Sequence, residues 1–238
     1  RDNTWGTKTN IARTKILPYF GERKMTEEKT GKMSPEVMQE KKREVLLTAK
    51  KAYDEKLMAG TSGNMSVYCP DCGLMAITPS SYDYSIMEEK DIVVIDLDGN
   101  VIEGCHRPSS EWKMHAEIYR HLPHVGAIVH THSPYATSFA VTHQEIPVIL
   151  IEMIPFLKGS IEVSPYATQG SAEVGLNAVP ILERKNACLM ANHGVVAVGA
   201  TMAEAYINSV YVEDTAKIYH MALSVGTPIE IPGYEKEK

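Results

Sequence analysis

The sequence predicts a single α/β layered domain built on a mostly antiparallel sheet, and three observations carry that expectation. Short apolar runs are paired across turn sequences, Cys69-Pro70-Asp71-Cys72-Gly73 and Asp98-Gly99-Asn100, and strands joined by tight turns run antiparallel. These hairpins alternate with segments of helical period along a chain that has neither a linker nor an internal repeat. Neither G-x-G-x-x-G nor G-x-x-x-x-G-K-[ST] occurs, which argues against a dinucleotide fold or a P-loop.

Residues 1–33 are polar and without a period, so they read as an N-terminal arm, and the layered domain is placed at 34–238. Ser34-Pro35-Glu36 supplies an N-cap, a proline at the first helical position and an acid in the first turn. Val45, Ala49, Ala52, Tyr53 and Leu57 follow at helical spacing, with Gly60 as the stop. Strands are expected at Asn64–Tyr68, Leu74–Thr78, Ile92–Leu97 and Val101–Ile102. Next come a helix over Ser110–His121, a strand over Ala127–His132, a helix near Pro134–Val141, and strands at Val148–Ile151 and Ile161–Val163. The last third reads as a helix Ala172–Arg184, a strand pair Ala187–Ala191 and Val195–Val198, and a long helix opened by the capping box Thr201-x-x-Glu204.

With 238 residues, 44% hydrophobic and 23% charged, the chain has ordinary globular usage. Lys+Arg 24 against Asp+Glu 30 leaves a net charge of −6, which disfavours a basic nucleic-acid-binding domain. The longest apolar candidate, Ile146–Leu157, carries Glu152 and two prolines and is too short to span a bilayer, so a soluble, cytoplasmic chain is expected. Four cysteines without framework spacing fit a reducing compartment, and Cys69-x-x-Cys72 reads as a hairpin turn or as half of a zinc site.

The sharpest chemical feature is His130-Thr131-His132, because side chains i and i+2 of a strand share a face and can grip one metal ion. A pair of surface histidines is the bland alternative. Asn192-His193-Gly194 offers a third imidazole at the end of another apolar run, and three histidines would leave a divalent metal an open position for Lewis-acid work. The other six histidines, at 106, 115, 121, 124, 143 and 220, read as surface or satisfied polar groups. Glu111 stands at a helix start after Ser109-Ser110, where it could stabilise the helix dipole or move a proton, and His115 lies one helical turn on, placed to orient that acid or to join the site. The loops Gly60-Thr61-Ser62-Gly63-Asn64 and Thr78-Pro79-Ser80-Ser81 have the backbone freedom and short hydroxyls of anion sites, or of plain turns.

Taken in order, Gly60-Thr61-Ser62-Gly63-Asn64-Met65-Ser66, Ile77-Thr78-Pro79-Ser80-Ser81, Pro108-Ser109-Ser110-Glu111, His130-Thr131-His132 and Asn192-His193-Gly194 closely resemble the class II aldolase/adducin family. The resemblance is greatest to its L-fuculose-1-phosphate aldolases. It implies a three-layer α/β/α sandwich around a mostly antiparallel sheet, in a homotetramer with active sites at subunit interfaces. It implies zinc, with manganese or cobalt as substitutes, on His130, His132 and His193, and Glu111 as the catalytic acid/base. It implies that Asn64, Ser80, Ser81, Ser109 and Ser110 hold the phosphate of a sugar-phosphate substrate. The reaction so implied is reversible cleavage of a ketose 1-phosphate, L-fuculose 1-phosphate or a deoxy-pentulose 1-phosphate, to dihydroxyacetone phosphate and an aldehyde.

One departure stands out. The stretch Ile146–Lys158 lacks the active-site tyrosine of the fuculose-phosphate enzymes, and Glu152-Met153-Ile154 instead resembles the methylthioribulose-1-phosphate dehydratases of the same family. Dehydration and pentulose-phosphate epimerisation are therefore the enzymatic alternatives, and an adducin-like interaction domain the non-catalytic one. Ser109-Ser110-Glu111-Trp112 is the aldolase form, which favours cleavage.

Overall fold

The computed structural model describes residues 35–234, so the predicted arm lies outside the described residues. The strands are β1 Asn64–Cys69, β2 Leu74–Ile77, β3 Val93–Asp96, β4 Val101–Glu103, β5 Ala127–Thr131, β6 Val163–Ser164, β7 Ala187–Met190 and β8 Gly194–Gly199. They form one sheet in the order β4-β3-β2-β1-β5-β8-β7-β6. Every neighbouring pair is antiparallel except β6 with β7. The predicted turns close β1–β2 and β3–β4, whereas β5 takes its place in the middle through distant partners, pairing Asn64 with His130 on one side and His130 with Val196 on the other.

Among the described residues five α-helices cover the sheet: α1 Pro35–Asp54, α2 Trp112–His121, α3 Pro134–Thr142, α4 Ala172–Leu182 and α5 Met202–Val225. Alternation along the strands divides the core. Ala127 and Val129 of β5 pack with Met65, Val67 and the α1 and α5 side chains, while Ile128 packs on the opposite face with Met75, Ile77, Met114 of α2 and Val174 of α4. A third cluster under α3 and α5 joins Phe139, Leu189 and Val212. Fully burying a Val, Ile, Leu or Met contributes about 1.5–3 kcal/mol, so these two packed faces hold the sheet between its helical layers. The α/β/α expectation is met.

In α1 the buried stripe Met38, Val45, Ala49 and Ala52 follows the helical period. The helix stops before Gly60. Lys56 adopts φ 65, and Lys56 N–H and Leu57 N–H donate back to Tyr53 O and Ala52 O, a Schellman closure made without glycine. At α5 half of the capping box forms, with Thr201 Oγ1 accepting from Glu204 N–H at 3.2 Å, while Glu204 Oε2 accepts from Ala200 N–H at 3.0 Å, one residue before the cap.

Two predicted elements are corrected. Val148–Ile151 is not a strand: an isolated bridge, Ile146 with Ile161, precedes it, Pro147 offers no N–H to continue that ladder, and a π-helical turn follows at Met153–Leu157. The predicted Ile161–Val163 strand shrinks to the two-residue edge β6. Cys69 and Cys72, expected as thiols, are joined by a disulfide across the predicted turn, which brings their Cα atoms within 5.6 Å. Among the described residues no helix is long and apolar enough to cross a membrane.

Candidate active site

Each motif reaches the site for a local reason. β5 ends at Thr131, so His130 and His132 straddle the strand end on the face that carries Ile128. His130 Nδ1–H donates to Val195 O at 2.7 Å, which fixes the tautomer and leaves the Nε2 lone pair free. His193 lies in the turn between β7 and β8, where Asn192 takes the left-handed φ of 54 and His193 N–H donates to Met190 O. Gly194 lets this turn close on β5, because a Cβ there would stand 2.4 Å from Thr131 O.

Glu111 is the N-cap residue of α2, yet its carboxylate does not cap the helix. It turns inward, 3% exposed, placing Oε2 3.0 Å from His130 Nε2 and Oε1 3.0 Å from His193 Nε2. His132 Nε2 lies 3.0 Å from His130 Nε2, and the three rings meet edge to face with centroids 4.8 to 5.1 Å apart.

These four residues offer donor atoms that all lie within 4.8 Å of one another. Two ring nitrogens 3.0 Å apart repel through their lone pairs unless a proton or a cation sits between them. Glu111 Oε1 and His193 Nε2 are both buried without a well-formed hydrogen bond. Three imidazole nitrogens and one carboxylate are the donor set of a first-row divalent cation, and the residues present fit one.

Electrostatics without a cation are strongly coupled. Burial alone would raise the Glu111 pKa, but His130 and His193 beside it outweigh that and hold the carboxyl well below its usual range. Burial lowers His130 while the Glu111 charge raises it, and the charge wins. His132 is pushed down to about 4, by burial first and then by the charges of His130 and His193.

Beside the cluster opens a cavity of about 330 Å³ whose lining includes Asn64, Ser80, Ser81, Ser109, Ser110, Glu111 and His132. The two serine loops are stitched together by an antiparallel bridge between Pro79 and Pro108, with Ser80 N–H donating to Arg107 O and Ser109 N–H to Thr78 O. Gly63 closes the third loop at φ 81, where a Cβ would meet His130 O at 2.7 Å. Thr61 and Ser62 of that loop also face the cavity.

All nine residues singled out from the sequence therefore converge. Asn64 is a partial exception to its expected role, because its carboxamide is spent on Glu111 Oε2 and on His115. Gln169 lines the cavity and was missed, since it lies in a loop with no recognisable chemistry. Glu152 is exposed and belongs to neither the cluster nor the cavity lining. A larger hollow of about 600 Å³, at the opposite ends of β1 and β5, holds none of the nine.

Comparison with known proteins agrees with this geometry. The profile of the family described as Class II Aldolase and Adducin N-terminal domain matches residues 43–220. A 5-deoxy-D-ribulose 1-phosphate aldolase of Bacillus thuringiensis serovar kurstaki is 35% identical, over 84% of this chain and 94% of its own. A 5-methylthioribulose-1-phosphate/5-deoxyribulose-1-phosphate aldolase of Rhodospirillum rubrum is 38% identical, over 76% of this chain and 81% of its own. A solved structure of an L-fuculose 1-phosphate aldolase superposes with a TM-score of 0.79 at 38% identity, covering 87% of this chain and 95% of that one.

Proposed function

The chain belongs to the class II aldolase and adducin family, and from that membership we propose that it is a metal-dependent aldolase cleaving a ketose 1-phosphate reversibly to dihydroxyacetone phosphate and an aldehyde. The observation that carries the proposal is the intact ring of Glu111, His130, His132 and His193 opening onto a cavity lined with hydroxyls and amides. L-Fuculose 1-phosphate and the 5-deoxypentulose 1-phosphates are the candidate substrates. Both end in a methyl group, and relatives named for each are similar to this chain.

His130, His132 and His193 would hold the metal, zinc first with manganese or cobalt as substitutes. When bound, such a cation supplies positive charge beside the substrate oxygens on which negative charge develops. Glu111 is ionised, so in the synthetic direction it takes a proton from C3 of dihydroxyacetone phosphate, and in cleavage it returns that proton to C3. Ser80, Ser81, Ser109 and Ser110 receive the phosphate in a lining that includes no lysine or arginine among the described residues. Their hydroxyls would then carry the anion. Asn64 contributes by holding Glu111 at 2.9 Å.

A homotetramer with sites at subunit boundaries belongs to the same proposal, supported by the exposed apolar Val141 and Tyr166 on segments next to the site. The dehydratase alternative needs Glu152 at the reacting carbon, and its exposed position outside the cavity does not favour it.

The test is release of dihydroxyacetone phosphate from L-fuculose 1-phosphate and 5-deoxyribulose 1-phosphate, followed with an NADH-coupled reductase with and without chelator. Chelator-sensitive release is the expected result. Metal-loaded protein that releases none from either substrate would refute the aldolase reading.

A further inference from the structure

Behind the carboxylate lies a row of polar groups of which the proposed chemistry uses only Asn64. Asn64, Ser66, His115 and Tyr119 come from β1 and α2, and each is 4% exposed or less. Buried polar side chains at this density are costly unless every donor meets an acceptor. Here one contact settles all the directions: the Asn64 carboxamide presents its N–H group, and not its oxygen, to Glu111.

Asn64 Nδ2–H donates to Glu111 Oε2 at 2.9 Å, so its Oδ1 must accept, and it does so from His115 Nε2–H at 2.5 Å. His115, pushed down to about 3 by burial first and then by the charge of His130, is neutral and carries its single proton on Nε2. Its Nδ1 must therefore accept, and Ser66 Oγ–H donates to it at 2.6 Å. Ser66 Oγ, its proton committed, can only accept from Tyr119 O–H at 2.7 Å, and that one proton is shared with the Ser66 carbonyl oxygen at 3.0 Å. With the other tautomer, Asn64 would have to turn its amide over and face Glu111 with oxygen against oxygen.

We infer that His115, Ser66 and Tyr119 are positioning residues: through Asn64 they form a one-way chain of hydrogen bonds that fixes where the Glu111 carboxylate sits and which of its oxygens turns toward His193. The chain ties down Oε2 and leaves Oε1 turned to the site, 3.0 Å from His193 Nε2. Fixing one oxygen directs the other toward the reacting carbon, which is the orientation a proton transfer needs. This inference rests on the reading of Glu111 as the group that moves the proton.

Two measurements test it. The first needs no turnover: nitrogen-15 spectra of histidine-labelled protein, with His115 identified by the signals lost in His115→Gln, should show Nε2 protonated and Nδ1 bare. A proton on Nδ1 overturns the chain. The second is exchange of the C3 hydrogen of dihydroxyacetone phosphate in deuterated water, measured beside kcat, KM and bound metal. Tyr119→Phe keeps the ring stack on Tyr68, with centroids 4.9 Å apart, and loses only the hydroxyl. It should slow exchange and kcat together by about twofold to tenfold, with KM and metal content unchanged. His115→Leu should slow both by about 10–100-fold, and His115→Gln, which can still donate to Asn64, should recover part of that loss. Wild-type exchange in Tyr119→Phe and His115→Leu overturns the inference. Wild-type protein that neither cleaves nor exchanges overturns the reading of Glu111 instead, and the tautomer still decides whether the chain exists.

Discussion

Replacing Gly194 by alanine isolates geometry from chemistry. The added Cβ would stand 2.4 Å from Thr131 O, 3.1 Å from His132 Cδ2 and 3.4 Å from His130 Cε1. Ordinary contact begins at 3.4 Å, so the backbones of β5 and β8 must part by about 1 Å at the point where both histidines are mounted. Overpacking of this kind costs about 1–3 kcal/mol, a moderate loss for a sheet packed on both faces. The catalytic loss should be larger in proportion, because a misplacement of about 1 Å costs on the order of 100-fold in rate. The assay combines a thermal melt, metal per chain by mass spectrometry, and dihydroxyacetone phosphate release at saturating substrate. Gly194→Ala should remain folded, bind metal more weakly and lose about 100-fold in kcat. Wild-type turnover and metal content would refute the claim that this glycine sets the approach of the two strands.

Three further outcomes follow from the site. Glu111→Gln should keep its metal and lose about 10²–10⁴-fold in turnover, since proton transfer alone is removed, and an unimpaired rate would contradict its role. His132→Ala should lose both metal and activity, and full metal retention on dialysis would contradict its assignment as a ligand. His115, held near 3 by burial first, refuses a proton that the unfolded chain takes up near 6.5, so its share of stability is whole above about 6.5 and is lost as pH falls toward 3. Urea midpoints across that range should therefore fall less steeply for His115→Gln than for the wild type, and equal slopes would refute this.

Much of the site was legible because its chemistry demands unusual residues at fixed spacing. Histidines at i and i+2 on a strand, glycines where loops press on β5, and serines before a buried glutamate all leave marks that a single sequence retains. What it does not show is which loops meet. The bridge between Pro79 and Pro108 joins the two serine pairs across some thirty positions, and neither proline signals a partner. His115 reads as a polar group one turn from Glu111, and Tyr119 carries no signal of its own. They are buried because Asn64 and Ser66, about fifty residues earlier, present matching groups from β1. The end of α1 was misread for a related reason, since Lys56 adopts a conformation that the rules reserve for glycine. Cys69 and Cys72 were read for their turn, and the closeness that joins them follows from that turn.

The central place of β5 has a consequence for assembly. His130 is paired with Asn64 on one side and Val196 on the other, each 66 positions away along the chain. Both pairings close long loops, which are the slow and entropically costly contacts of a folding sheet. No partly folded chain that lacks β8 can bring His193 to the pair on β5, so a growing polypeptide offers a metal ion only two of the three imidazoles until its last strand is in place. Capture of the ion would thus be a late event that rewards only the finished sheet, and a cation that binds the native state alone raises its stability in proportion to the logarithm of its free concentration over Kd.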